Sequence, residues 1–315
     1  MASSGAVSSA TPGKGPLFGR LRAWWEGTEI ESAPGRAVSG ADEAGGEVCE
    51  SPTVAGWPRT RIDLIQRLFG PGMATPGGDA VCDRLTADLV MAAGGSIVVL
   101  GAGLGGFPAR VATSTGATVM AVESDLSLAE GANRWLDGQE PRPAVAVERR
   151  DLLKAEVRPQ GSNAVLAKEA LLDLADKGAL FQRVASMLKP DGVFSFSDYV
   201  LTGVDPFSPE IAVWQAHEPG PVHLMSEAAL IECLLDSGFE APAVHDLTAD
   251  YCTAVMAAFA TVAERLREMP DEVQDVGAWL VCEAEHWTRR VALLNGDDVK
   301  VRHFVTRLRQ GDQIA

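Results

Sequence analysis

Cysteine is sparse and unpatterned in this chain: Cys49, Cys82, Cys233, Cys252 and Cys282 include no CxxC pair. That odd, scattered set excludes a disulfide scaffold and a thiolate metal centre as the organising feature, and it fits a reducing compartment. The five histidines lack ligand spacing as well, so no metal site is expected; His217 and His223 flank a proline-glycine turn and read as loop residues. No apolar run is long enough to span a bilayer, and the N-terminus has no apolar leader core, so the sequence predicts a cytoplasmic protein without a transmembrane segment. Positive charge is also short. Lys and Arg number 27 against 43 Asp and Glu, a formal charge of −16 with a pI near 4.7. Such a field repels phosphate backbones and anionic membrane surfaces, which argues against a nucleic-acid partner. A neutral or cationic small molecule is compatible with it.

What is present suffices for a full core: 315 residues at 46% hydrophobic content predict one large domain with appendages. Its organising stretch is SIVVLGAGLGG, residues 96–106. A short apolar run bounded by glycine suits a strand buried on both faces of a parallel sheet. Gly101, Gly103 and Gly105 leave the following turn without side chains, so its backbone can approach a ligand closely. The next strand, ATVMAVESD at 117–125, places Glu123 at its carboxyl end about twenty residues on, where an acid can bind both ribose hydroxyls of a nucleotide-like cofactor. Glycine turn and downstream acid together point to a cofactor containing adenosine.

Either side of this unit the pattern alternates. Residues 1–15 are rich in Ser, Ala and Gly and predict disorder; PLFGRLRAWWEG at 16–27 is an aromatic and basic patch; 31–55 reads as a linker. The patch reads as a docking segment or as a helix folded back on the body, and its two basic residues favour the second. Order is expected from Trp57, with helices over 59–69 and 79–93 separated by the loop GPGMATPGGDAV. A helix over 126–136 follows the second strand, a third strand ends at Asp151, a fourth spans 162–171, and a fifth spans 193–200 after the LKPDG turn. Helices are expected over 177–188 and over SEAALIECLLDSGF, closed by Gly238. Residues 254–309 read as mostly helical. The fold class is therefore α/β, a doubly wound, Rossmann-like sheet with helices on both faces and a C-terminal helical extension. Its divisions are a disordered 1–55, a cofactor-binding domain over 56–250, and a helical extension or cap over 251–315.

The succession VLGAGLGG, AVESD, RRDLL and LLDLADKGALFQRVASMLKPDGVFSFSDYV resembles the class I S-adenosylmethionine-dependent methyltransferases. LFGPGMATPGG, SDYV, DLTADY and HWTRRV resemble the phosphoethanolamine and related small-amine N-methyltransferases, over roughly residues 57–305. The resemblance implies S-adenosyl-L-methionine as cofactor. It puts Thr75 in the loop over the methionine end, Gly101 and Gly103 under the cofactor, and Glu123 with Ser124 at the ribose. Asp151 and Leu152 bracket the adenine, and Lys168 stands near the cofactor carboxylate. Val99 replaces an acid usual before the first glycine. Trp57 and Asp173 occupy the places of a tyrosine–histidine pair, and QAHEPG at 215–220 lacks the arginine and tyrosine that grip a substrate phosphate. These departures argue against a phosphobase.

The candidates for substrate chemistry are Glu169, Asp173 and Tyr199, which can bind an ammonium group or take its proton. Trp57 can offer a cation–π face to a methylated amine. The expected function is methyl transfer to a small molecule, an amine before an oxygen or carbon nucleophile. A catalytically inactive cofactor-binding scaffold or sensor and a nicotinamide-dependent oxidoreductase stay open as alternatives, the LKPDG turn counting against the last. A homo-oligomer, or docking through 16–27, is compatible with the chain.

Overall fold

Ser96–Leu100 forms β1, and all four of its apolar residues are fully buried. They divide between two cores, Ile97 and Val99 on one face of the sheet, Val98 and Leu100 on the other. This two-sided burial is what a continuous apolar strand needs in a parallel sheet. The computed structural model describes residues 56–89, 94–154, 161–202, 208–268 and 273–309; the segment 1–55, with the patch at 16–27, lies outside them.

Two helices precede β1: α1 (Arg59–Phe69) and α2 (Gly78–Thr86). After it come α3 (Gly106–Thr115), β2 (Thr118–Glu123), α4 (Leu126–Asp137), β3 (Val145–Arg149), a short 3-10 turn at Leu152–Lys154, β4 (Ser162–Lys168), α5 (Lys177–Met187) and β5 (Leu188–Leu201). The chain continues through α6 (Pro209–Gln215), the two-residue β6 (Met225–Ser226), α7 (Glu227–Asp236), β7 (Ala243–Asp246), α8 (Thr248–Glu268), α9 (Val273–Asn295) and β8 (Val299–Arg307). Helix starts follow local chemistry. Asp125, Asp176, Ser208 and Ser226 each accept a backbone N–H from the first turn of α4, α5, α6 and α7. Gly238 (φ 89°) ends α7 in a Schellman motif, Phe239 N–H reaching Leu234 O and Gly238 N–H reaching Leu235 O.

The sheet runs in the order β3-β2-β1-β4-β5-β8-β7, with β6 against the end of β5. Its first five strands are parallel, and β8 is antiparallel to both β5 and β7. Strand order, not chain direction, reverses between the parallel β1 and β4, so the crevice of a doubly wound sheet opens at their carboxyl ends. Register sets its contents. Leu100 pairs with Val122 and with Ala167, which brings the glycine turn, Glu123 and Lys168 to one level.

Three expectations change. Helix α2 ends at Thr86 rather than 93, and residues 90–93 lie outside the described ones. The LKPDG turn is taken up inside the long β5 as an irregularity, with Asp191 at φ 61° and a register shift between Ser162 and Ala164. The mostly helical reading of 254–309 misses β8. VKVRHFVTR alternates between its two faces, a strand period, and antiparallel pairing with β5 over nine residues draws it into the sheet between β5 and β7.

Candidate active site

The glycine turn after β1 is held from two sides. Gly101 takes φ 76°, and a Cβ there would lie 2.4 Å from the Cβ of Ala170, so only glycine fits between the turn and the end of β4. On the other side Gly106 N–H donates to Gly72 O at 2.7 Å, which seats the loop between α1 and α2 directly on the start of α3. Glu123 is buried beneath this turn. Its carboxylate accepts from Gly103 N–H at 2.8 Å and from Asp125 N–H at 3.0 Å. Burial raises its pKa, and those backbone donors work against the rise. A carboxylate offers about four acceptor positions, so capacity remains for hydroxyl donors from the cavity.

Lys168 fastens the same loop to the sheet. Its ammonium donates to Thr75 Oγ1, to Pro76 O at 2.7 Å and to Glu169 Oε1 at 3.0 Å. All three protons are therefore placed within the chain, and Lys168 offers a ligand charge rather than a free donor. Asp151 is exposed beside buried Leu152, an acceptor next to an apolar surface.

Glu169 has φ 53°, unusual for a side chain-bearing residue, and its N–H is held by Ser197 O and Oγ, both at 3.2 Å. From it a chain of contacts crosses the cavity. Glu169 Oε2 accepts from Tyr251 at 2.6 Å, and the Tyr251 hydroxyl accepts from Tyr199 at 2.6 Å. Arg290 Nη1 lies 3.4 Å from the Tyr199 hydroxyl, and the guanidinium forks onto Glu218 at 2.8 and 2.6 Å. A second buried pair faces it: Arg61 Nε donates to Glu283 at 2.6 Å while its guanidinium lies 4.1 Å over the Trp57 ring. Asp173 is exposed.

All twelve sequence-predicted residues line a single cavity of about 690 Å³: Thr75, Gly101, Gly103, Glu123, Ser124, Asp151, Leu152 and Lys168 with Trp57, Glu169, Asp173 and Tyr199. No family model matches the chain. The curated phosphoethanolamine N-methyltransferase 3 of Arabidopsis thaliana is 26% identical over 183 residues, 58% of this chain and 36% of that protein. The chain thus spans about a third of that relative's length. Among solved structures, Haemonchus contortus phosphoethanolamine N-methyltransferase 2 in complex with S-adenosyl-L-methionine superposes with a TM-score of 0.68 at 18% identity, covering 79% of this chain and 57% of that one. A protein described as a putative sarcosine dimethylglycine methyltransferase from Galdieria sulphuraria gives 0.65 at 13% identity, with 79% and 96% covered. The fold is that of a class I methyltransferase.

In this methyltransferase fold α1 and the elements after β5 supply what the sequence left without a role. Arg61, Glu218, Glu283, His286 and Arg290 line the cavity, and Tyr251 stands behind it. HWTRRV and DLTADY contain His286, Arg290 and Tyr251, and their likeness assigned these residues no role; Glu218 lies in QAHEPG, and Arg61 and Glu283 lie in no such segment. His286 is kept well below the ordinary histidine range by burial and then by the charge of Arg290, so it faces the cavity as a neutral imidazole. Tyr199, proposed from sequence to take a proton, has its pKa pushed far up by burial and remains a phenol. The face of Trp57 expected to receive a ligand cation carries Arg61 on one side. Cys82, Cys233 and Cys252 are free whereas Cys282 is disulfide-bonded, so the cysteines no longer argue by themselves for a reducing compartment. Among the described residues no helix is long and apolar enough to cross a membrane.

Proposed function

We propose that this chain is an S-adenosylmethionine-dependent methyltransferase whose acceptor is a small amine without a phosphate group. The observation that carries the reading is the charge of the cavity. Seven carboxylates line it against three cations, and each cation is already paired: Arg61 with Glu283, Lys168 with Glu169, Arg290 with Glu218. A phosphate would meet no unpaired cation there, and a cationic ligand would meet spare carboxylate.

The residues present fit the cofactor. The side chain-free cradle at Gly101 and Gly103 admits close backbone approach, and Glu123 keeps acceptor capacity for a pair of ribose hydroxyls. Asp151 and Leu152 suit a purine edge that donates from an exocyclic amine, with Ser124 beside the ribose position. Thr75 belongs to the loop that Lys168 holds down, and the Lys168 charge suits a carboxylate. When bound, S-adenosylmethionine supplies a methyl group already activated on a sulfonium centre. The protein's task is then alignment and exclusion of water. Glu169 and Asp173 attract the amine, and a carboxylate among them takes the proton that methylation makes acidic. Tyr199, held as a phenol, orients the amine instead of deprotonating it.

Calorimetric titration with S-adenosylmethionine, S-adenosylhomocysteine and NAD tests the cofactor half. Binding of the first two without the third is expected; binding of NAD alone overturns the reading. A radiolabelled methyl-transfer screen over amines and their phosphate esters tests the other half. Free amines are expected to turn over at least tenfold faster than their phosphorylated counterparts, and the reverse order refutes the choice of acceptor.

A further inference from the structure

The whole chain contains two tyrosines, Tyr199 and Tyr251, and their hydroxyls are hydrogen-bonded to each other at 2.6 Å. Both are buried, Tyr199 at the end of β5 and Tyr251 on α8. A phenol has a single proton, which makes the direction of every bond in this group derivable. Glu169, ion-paired with Lys168, is an acceptor only, so Tyr251 spends its proton on Glu169 Oε2. The Tyr251 oxygen is then left to accept, and the Tyr199 proton points at it. Arg290, a donor only, approaches the Tyr199 oxygen from the other side. Tyr199 therefore has no proton to offer the cavity it lines, and presents oxygen lone pairs alone.

Resting on the amine methyltransferase reading, we propose that Tyr251 is a positioning residue that locks Tyr199 as a hydrogen-bond acceptor and thereby selects an acceptor amine bearing an N–H, primary or secondary rather than tertiary. A nucleophilic nitrogen has its lone pair committed to the incoming methyl group. Any contact it makes with Tyr199 must come from a remaining N–H bond. Primary and secondary amines have one to give. A neutral tertiary amine has none, and it would leave the Tyr199 lone pair that Arg290 does not use facing an apolar methyl, without a donor. Methylation is thus expected to slow sharply once the tertiary amine has formed.

With only two tyrosines, the full-length chain labelled with 13C at the tyrosine ζ carbon gives two resonances, and each reports the hydrogen bonding of one hydroxyl. In Tyr251→Phe the surviving Tyr199 resonance is expected to move, because its proton loses its acceptor while the ring packing against Trp287 is kept. An unchanged Tyr199 resonance overturns the proposal without any need for a substrate. In the wild type, the best acceptor from the amine screen is expected to turn over at least tenfold faster in its primary or secondary form than as its tertiary homologue. Tyr251→Phe is expected to raise KM for the N–H form more than it lowers kcat, and to narrow that gap to about threefold. Equal wild-type rates for secondary and tertiary homologues refute the selection. If S-adenosylhomocysteine does not bind and no amine is methylated, the proposed function fails and the selection fails with it, whereas the tyrosine resonances still decide whether Tyr251 orients Tyr199.

Discussion

Glu123 and Lys168 face the glycine turn from the strands on either side of β1, and each is anchored before any ligand arrives. Glu123 holds the turn through Gly103 N–H, and Lys168 holds the loop at Thr75 and Pro76. Each side chain therefore shapes the site and supplies charge to it at once. Glu123→Ala is expected to weaken S-adenosylhomocysteine binding by at least a hundredfold in a calorimetric titration, with the far-UV circular dichroism spectrum unchanged; unaltered affinity would remove Glu123 from the cofactor site. These two were legible because they are the last residues of regular strands whose register is predictable. Tyr251 and Arg290 were not, because their partners Glu169 and Tyr199 lie 82 and 91 residues away along the chain.

At the scale of elements, one ion pair joins the first described helix to the last. Arg61 on α1 and Glu283 on α9 are 222 residues apart and both buried, with Glu283 also accepting from Trp287 Nε1 at 3.1 Å. A buried pair gains little over an apolar substitute, but losing one partner strands a charge. Arg61→Leu is expected to cost about 3–5 kcal/mol in urea denaturation, and the double variant with Glu283→Leu to recover most of it. Equal losses in single and double variants would show that packing around Arg61, rather than the orphaned carboxylate, dominates. The amphipathic spacing of α1 was readable from Ile62, Ile65, Leu68 and Phe69; the helix against which that face packs was not.

For the molecule as a whole, acid sensitivity follows from histidines folded in neutral form. His303, in the middle of β8, donates from Nε2 to Ser195, whose own proton goes to Leu85 O; its Nδ1 is buried without a partner. Burial, helped by His245 and Arg84, pushes its pKa from 6.5 down to about 4. The unfolded chain thus binds a proton at a higher pH than the folded one. The associated stability is complete above the unfolded value and is lost as pH falls from about 6.5 to about 4, a difference of about 3 kcal/mol. Relative to His303→Leu, the wild type is expected to lose that amount across this window in denaturant titrations at fixed ionic strength, and parallel profiles would refute it. Glu123 and Asp198, whose pKa values are raised, act in the opposite sense and are common to both proteins.

What the sequence by itself determined was local: apolar runs make the parallel strands, Asp and Ser caps start the helices, and glycines permit a turn that a Cβ would block. Those features set the glycine turn, Glu123, Asp151 and Lys168 at or just past strand ends, on the side proposed for the cofactor, with Thr75 in the loop between α1 and α2. On the side proposed for the acceptor, Trp57, Glu169, Asp173 and Tyr199 were readable from sequence, and what they meet was decided by tertiary structure. β8 inserts between β5 and β7, and α8 and α9 come to lie against α1. That arrangement lines the cavity with Glu283 and Arg290 and sets Tyr251 behind it. No local pattern encodes it, because buried hydrogen bonds and ion pairs are satisfied by whichever distant groups the packed core brings within reach.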